Sequence, residues 1–313
     1  MIVSVTEAIT LIKRGEVVAI PTETVYGLAA DAENGLAVRK IFTLKGRPSD
    51  NPLIVHLSSA DQISRFTDFD SPDLRRLTDA FWPGPLTLIV PRKETVLDVV
   101  TAGLDSVALR MPSHPDALDI IRQSGPVTAP SANRSGRPSP TKPEHIFADF
   151  GDNLPVVDGG ECTIGIESTV LDLTSEEPVV LRPGKYSAEE LGDLLSKKVA
   201  LSTSNSEHLS KSPGTRYTHY KPDAEIKWMP QKFLKRPEDG VLYIFHSGKS
   251  EHQRPNVIDF NQDYNALGKA LYDLYRTADA KKYTNIYIEP LPEQGKHPLL
   301  PALKNRIERS AGQ

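Results

Sequence analysis

The chain has 313 residues, 38% of them hydrophobic and 25% charged, with a formal net charge of -4. That length suits about two domains, each able to bury a core, and the acidic balance argues against bulk electrostatic capture of nucleic acid. One cysteine, Cys162, cannot close an internal disulfide; with no basic-then-apolar leader at Met1–Thr10 and no membrane-length apolar run, a cytoplasmic location is expected.

In chain order, Thr6 is placed to cap a helix over Glu7–Arg14, Gly15 stops it, and Val17–Ile20 reads as a short buried strand. The strand runs into Pro21-Thr22-Glu23-Thr24-Val25-Tyr26-Gly27-Leu28, where hydroxyls and a carboxylate crowd a strand end. Open α/β sheets bind ligands at such ends; a capped polar turn is the plainer alternative. A helix over Ala37–Leu44 then delivers Lys45-Gly46-Arg47-Pro48-Ser49-Asp50-Asn51-Pro52, followed by the apolar run Leu53–Val55 and His56. Gly and Pro shape this loop, and its two cations suit a triphosphate or, more plainly, a solvated basic turn.

Ser71-Pro72 opens a helix to Phe81, Trp82-Pro83-Gly84-Pro85 makes a rigid turn, and Leu86–Val90 is a strand. Ser106–Arg110 is a strand ending on a guanidinium, which fits either bidentate capture of an anionic substrate or a structural ion pair. Helix Asp116–Gln123 and strand Val127–Ala129 lead to Pro130–Thr141, a second polar loop rich in hydroxyls, an amide, glycine and arginine, which is a plausible anion cradle or a surface loop. A helix to Phe150, a return through Val156-Val157 and Gly159-Gly160, the loop Gly165–Ser168, strands Thr169–Leu173 and Val179–Leu181, then Arg182-Pro183-Gly184 and helix Ala188–Leu195 close the first domain. Lys197–Lys211, rich in Ser and Lys, reads as a linker into the aromatic segment Ser212–Pro222. Strands at Val241–Phe245, Val257–Phe260 and Ile286–Glu289, with helices Tyr264–Arg276 and Leu300–Arg309, predict a small α/β second domain.

Several chemistries have no carrier. Gly248-Lys249-Ser250 imitates a phosphate loop but has Tyr243 where its first glycine belongs. The eight histidines are scattered without metal-ligand spacing, and no nucleophile elbow appears. Cations, hydroxyls and amides at strand ends remain, a set suited to positioning and charge stabilisation.

The motifs PTETVYGL (Pro21–Leu28), KGRPSDNPLIVH (Lys45–His56), SVALR (Ser106–Arg110), PSANRSG (Pro130–Gly136), GIESTV (Gly165–Val170) and LRPG (Leu181–Gly184) stand in order, followed by SPGTRYTHYKP (Ser212–Pro222). With them the chain resembles the YrdC-like family, and within it the two-domain L-threonylcarbamoyladenylate synthases. The resemblance implies an α/β fold with a YrdC-like twisted mixed open sheet over residues 1–200. It implies a linker or lid over 201–222 and a smaller Rossmann-like domain over 223–313. It also implies the reaction of L-threonine, bicarbonate and ATP, with Mg²⁺ accompanying the ATP, to threonylcarbamoyl-AMP and pyrophosphate. A separate transferase complex, the expected partner, then modifies the tRNA adenosine beside the anticodon.

By the same resemblance Thr24, His56, Arg110, Ala129 and Ser168 would contact threonine. Arg47, Asn51, Ser106, Ser131, Ser139, Arg182 and Tyr220 would contact ATP, with Lys45 and Arg47 as the catalytic cations. Arg216, Tyr217 and His219 would form the lid. No protein metal ligands, membrane contact or stable nucleic-acid binding are expected. The chain departs from the family pattern at Ala29 and at Thr215-Arg216. The alternative reading is a non-catalytic double-stranded RNA or tRNA-binding module, with Arg47, Arg92, Lys93, Arg134 and Arg137 as its patch.

Overall fold

The computed structural model describes residues 1–202, 219–230, 237–248, 250, 254–292 and 297–312. β1 (Ile2–Val3) leads into α1 (Val5–Lys13). Ser4, rather than Thr6, caps this helix: Ser4 accepts from the Glu7 amide, and Glu7 accepts from the Ser4 amide. That reciprocal box places Thr6 inside the first turn. There follow β2 (Val18–Ile20), β3 (Gly27–Asp31), α2 (Gly35–Lys45), β4 (Ile54–His56), α3 (Pro72–Phe81), β5 (Leu86–Pro91), α4 (Asp98–Thr101) and β6 (Ser106–Arg110). Next come α5 (Pro115–Ser124), β7 (Val127–Thr128), α6 (Pro143–Phe150), β8 (Val156–Val157), β9 (Thr169–Asp172), β10 (Val179–Arg182), α7 (Ala188–Leu195) and β11 (Ala200–Leu201).

These strands form one eleven-stranded mixed sheet in the order β1-β8-β2-β3-β7-β4-β6-β5-β9-β10-β11. One apolar cluster joins β4, β5 and β6 to α2, α3, α4 and α7, and two others seat α1 with α5 and α2 with α6 on β2, β3 and β8. β11 lengthens the sheet by pairing with β10, so the start of the stretch expected as linker, Lys197–Lys211, is strand rather than spacer. Only 219–222 of the expected Ser212–Pro222 segment are described.

The register places the chemistry. β4 and β6 are parallel neighbours, and His56 stands opposite Arg110 at their shared carboxyl ends. β5 runs antiparallel to β6 with Thr87 opposite Arg110, and parallel to β9, whose start carries Ser168 to the same place.

The second unit holds β12 (Glu225–Trp228), β13 (Val241–Phe245), β14 (Val257–Asp259), α8 (Tyr264–Ala280), β15 (Asn285–Ile288) and α9 (Leu300–Ala311). Its four strands are all parallel, in the order β12-β15-β13-β14. At the imitation phosphate loop the amides of Gly248 and Ser250 both donate to the Asp259 carboxylate. The core of this unit is not private. Val25 and Ile166, from loops of the first sheet, and Tyr220 share an apolar cluster with Leu267, Leu271, Tyr272, Leu299 and Leu303.

Candidate active site

α2 ends on Lys45 because Gly46 takes the left-handed conformation (φ +61°) and turns the chain. Burial then aims the Lys45 ammonium at the Pro130–Gly136 loop, where it donates to the Ser131 carbonyl and, at 2.7 Å, to the Asn133 carbonyl. The Ser135 amide returns a bond to the Lys45 carbonyl at 2.9 Å. Arg47 donates to the Pro52 carbonyl at 2.8 Å and to the Asn51 carbonyl at 3.3 Å, which closes the loop upon itself. Ser131 bridges Gly27, so the two polar loops at the strand ends face each other.

Lys45, Arg47, Thr24, His56, Arg110, Ala129, Ser131, Arg182, His219 and Tyr220 all border one cavity. The structure thus brings ten of the expected site residues together. Asn51, Ser106, Ser139 and Ser168 are buried but do not border it. Ser139 donates to Glu167 at 2.6 Å, and Ser168 shares hydrogen bonds with Thr87 (2.8 Å) and Arg182 (3.1 Å). The Asn51 side-chain amide has no hydrogen-bond partner among the described residues. Arg216 and Tyr217 lie outside the described residues. Ala29 sits in β3 within the core, so that departure from the family pattern is a packing matter.

Arg110 takes the structural ion pair that its strand position allowed. Its Nη2 donates to Glu23 at 2.6 Å, Nη1 to Thr24 at 3.0 Å and Nε to the Gly84 carbonyl at 3.3 Å. Glu23 also accepts from the Ser113 amide at 3.1 Å. Each terminal nitrogen of a guanidinium carries two N–H groups, so one on each side remains for an anion.

The field of this cavity is positive and confined. Burial, with Arg47 alongside, pushes the Lys45 ammonium well below its ordinary value. Burial, reinforced by Arg110, pushes His56 down to about 3, so its imidazole is neutral at pH 7. His56 Nδ1 lies 3.2 Å from the Ile54 carbonyl, which fixes the proton there and leaves the lone pair on Nε2. Burial also lowers His219 to about 3, with Arg47 and Lys45 adding to it. An anionic ligand would relieve this crowding. Cys162 stands apart as a nucleophile: it is buried, and burial with Glu23 nearby raises its thiol to about 12.

Among the described residues lining the cavity, Glu167 is the single carboxylate. Burial would raise it, but Arg306 and Arg182 hold it at about 2. Arg306 Nε donates to Glu167 Oε2 at 2.8 Å and Tyr272 Oη donates to the same oxygen at 3.0 Å. Sequence reasoning gave Glu167 no role, although it lies inside GIESTV, and missed Arg306 and Tyr272. Arg306 did leave a signal: it falls on the apolar face of α9 with Leu303 and Ile307. The basic patch of the alternative reading is matched locally. Arg92 pairs with Asp98 at 2.7 Å, Lys93 with Asp68 at 2.8 Å and Arg137 with Asp223 at 2.7 Å. Arg134 donates to the Asp149 carbonyl at 2.8 Å.

Residues 10–184 match the Sua5/YciO/YrdC family model, described as telomere recombination. Residues 186–312 match a model described as threonylcarbamoyl-AMP synthase, C-terminal domain. The threonylcarbamoyl-AMP synthase of Bacillus subtilis is 40% identical over 329 residues, spanning 98% of this chain and 93% of its own length. That of Pyrococcus abyssi is 38% identical over 316 residues, spanning 96% of this chain and 92% of its own length. A crystal structure of P. abyssi Sua5 complexed with L-threonine has a TM-score of 0.88 at 35% identity, covering 100% of this chain and 98% of that one. The chain belongs to the Sua5/YciO/YrdC family.

Proposed function

We propose, with membership of that family as the premise, that the chain makes L-threonylcarbamoyladenylate from L-threonine, bicarbonate and ATP, releasing pyrophosphate. One observation carries the reading. A single cavity is bordered by the cations Lys45, Arg47 and Arg182 and also by the Thr24–His56–Arg110 group, so it offers a triphosphate and an amino acid different walls. The names of its relatives and the threonine in the P. abyssi complex support the same assignment.

The threonine carboxylate is placed on the remaining N–H groups of Arg110, whose guanidinium is held by Glu23, Thr24 and Gly84. The neutral His56 adds no positive charge against an amine that must lose its proton to react. That amine adds to the carbon of bicarbonate, and water leaves to give a carbamate. A carbamate oxygen then attacks the α-phosphorus while the bond to the bridging oxygen of the β-phosphate breaks, and pyrophosphate departs. Lys45, Arg47 and Arg182 face the charge that builds on the phosphate oxygens. A reaction of this kind asks for positioned charge more than for a covalent nucleophile.

The residues present do not fit a protein-held metal. Among the described residues no group of three or more His, Cys, Asp or Glu stands together. The two nearby carboxylates are engaged, Glu23 by Arg110 and Ser113, and Glu167 by Ser139, Tyr272 and Arg306. Mg²⁺ is therefore assigned to the nucleotide, and no step is drawn through it. A cytoplasmic location and transfer of the product to a separate tRNA-modifying complex complete the proposal. No helix among the described residues is long and apolar enough to cross a membrane.

The test is pyrophosphate release from ATP, with threonine and bicarbonate omitted in turn. Release is expected only with all three substrates. An equal rate without threonine overturns the reading.

A further inference from the structure

Glu167 poses a physical problem within the proposed function. A site that must draw in a triphosphate carries a buried carboxylate in its wall, 6% exposed, among the cations Lys45, Arg47 and Arg182. An uncompensated anion there would repel the phosphates and turn toward whichever cation it could reach.

The compensation comes from the far end of the chain. Arg306, on α9, is fully buried and does not border the cavity. Its Nε donates to Glu167 at 2.8 Å, its Nη2 donates to the Pro183 carbonyl at 3.1 Å, and its guanidinium carbon lies 5.5 Å from the centre of the Tyr220 ring. One guanidinium thus contacts the residue beside Arg182, the residue before Ser168, and an aromatic side chain that lines the cavity. Tyr220 is held at φ +66°, a left-handed conformation that a tyrosine adopts only when its surroundings impose it. Tyr272 of α8 stacks on the same ring at 5.3 Å between centroids and donates to Glu167. Packing gives an independent indication. A Cβ on Gly165 would lie 2.4 Å from the Lys269 Cα, so the loop that carries Glu167 lies flush on the backbone of α8.

We propose that Arg306 is a positioning residue of the nucleotide site: it neutralises Glu167 and locks it, with Pro183 and Tyr220, in the one arrangement that leaves the cation wall to the triphosphate. The second unit is then part of the catalytic machinery through α8 and α9. This inference rests on the proposed synthase activity.

The experiment uses full-length protein, with threonine-dependent pyrophosphate release measured while ATP and threonine are titrated separately. Arg306→Met is expected to raise the KM for ATP at least tenfold and the KM for threonine less than threefold. Adding Glu167→Gln to Arg306→Met should recover most of that loss, because the unpaired anion is gone; a role in packing alone would show no such rescue. Since Arg306 is fully buried, Tyr272→Phe is measured beside it. It removes one neutral hydrogen bond from the same oxygen and should raise the KM for ATP two- to fivefold. An unchanged KM for ATP in Tyr272→Phe, or a folded Arg306→Met that Glu167→Gln does not rescue, overturns the proposal. Wild-type protein without threonine-dependent release would instead refute the function on which it rests.

Discussion

At the scale of single residues the site is a balance of buried charges, and His56 shows the consequence most directly. Its imidazole has an ordinary value of 6.5 and lies near 3 in the fold, through burial and then Arg110. Between those values the unfolded chain binds a proton that the folded chain refuses. The neutral His56 therefore contributes stability that is complete above about pH 6.5 and is lost as the pH falls toward 3, with a slope approaching about 1.4 kcal/mol per pH unit. His219 has the same window and the same sign. His56→Asn should accordingly lose less Tm than the wild type between pH 7 and pH 5, retaining the part due to His219. Parallel Tm–pH curves for the two proteins would contradict this account. Lys45, Arg47, His56 and Arg110 were legible because Gly, Pro and strand ends fix where their backbones go. Their partners were not, because a carboxylate such as Glu23 or Glu167 reads the same whether it faces solvent, a metal or a guanidinium. The pairing of Arg110 with Glu23, at 5% and 7% side-chain exposure, joins a strand and a loop 87 residues apart in sequence.

At the scale of elements, helices and strands were legible wherever a local rule acts alone. Ser71-Pro72 starts α3, and Val18–Ile20 is apolar throughout because both faces are covered. The two-residue strands β1 and β11 escaped because their pairing is supplied by β8 and β10 rather than by their own pattern. Loops show the same division. Gly46 and Gly165 both have positive φ, at +61° and +82°, and from sequence they are equivalent turn residues. In space they differ. A Cβ on Gly46 meets nothing within 4 Å, whereas one on Gly165 meets the Lys269 backbone at 2.4 and 2.5 Å. Gly46→Ala should cost only the left-handed conformation, about 1–2 kcal/mol. Gly165→Ala adds the displacement of α8, roughly 1–3 kcal/mol more for an overpacked contact. Denaturant unfolding of the two variants checks this; equal losses would mean that the loop does not depend on its seat against α8.

At the scale of the whole molecule the two sheets are joined by buried charge as well as by the shared apolar cluster around Val25, Ile166 and Tyr220. Besides Glu167–Arg306, Arg276 of α8 reaches Asp149 of α6 with Nη1 at 3.1 Å and Nη2 at 2.8 Å, and also donates to the His145 and Pro138 carbonyls. Asp273 takes Lys142 at 2.6 Å and His145 at 2.9 Å on the same seam. None of this was readable from the chain, since α6 and α8 each look like ordinary amphipathic helices with polar outer faces. The arrangement predicts cooperativity. With Asp149 at 5% side-chain exposure and Arg276 at 11%, solvent screens the pair little. Arg276→Met would leave a buried carboxylate whose remaining contact is the Arg134 amide at 3.3 Å, a loss on the order of 3–5 kcal/mol that falls entirely on the seam. The wild type should therefore unfold in one calorimetric transition. Arg276→Met should unfold in two, the first belonging to the second unit, because the ionic contacts that couple the units are cut and only the shared apolar cluster still links them. A single transition at the wild-type temperature would show that the apolar cluster alone holds the units together, with the α6–α8 ionic seam adding nothing to their coupling.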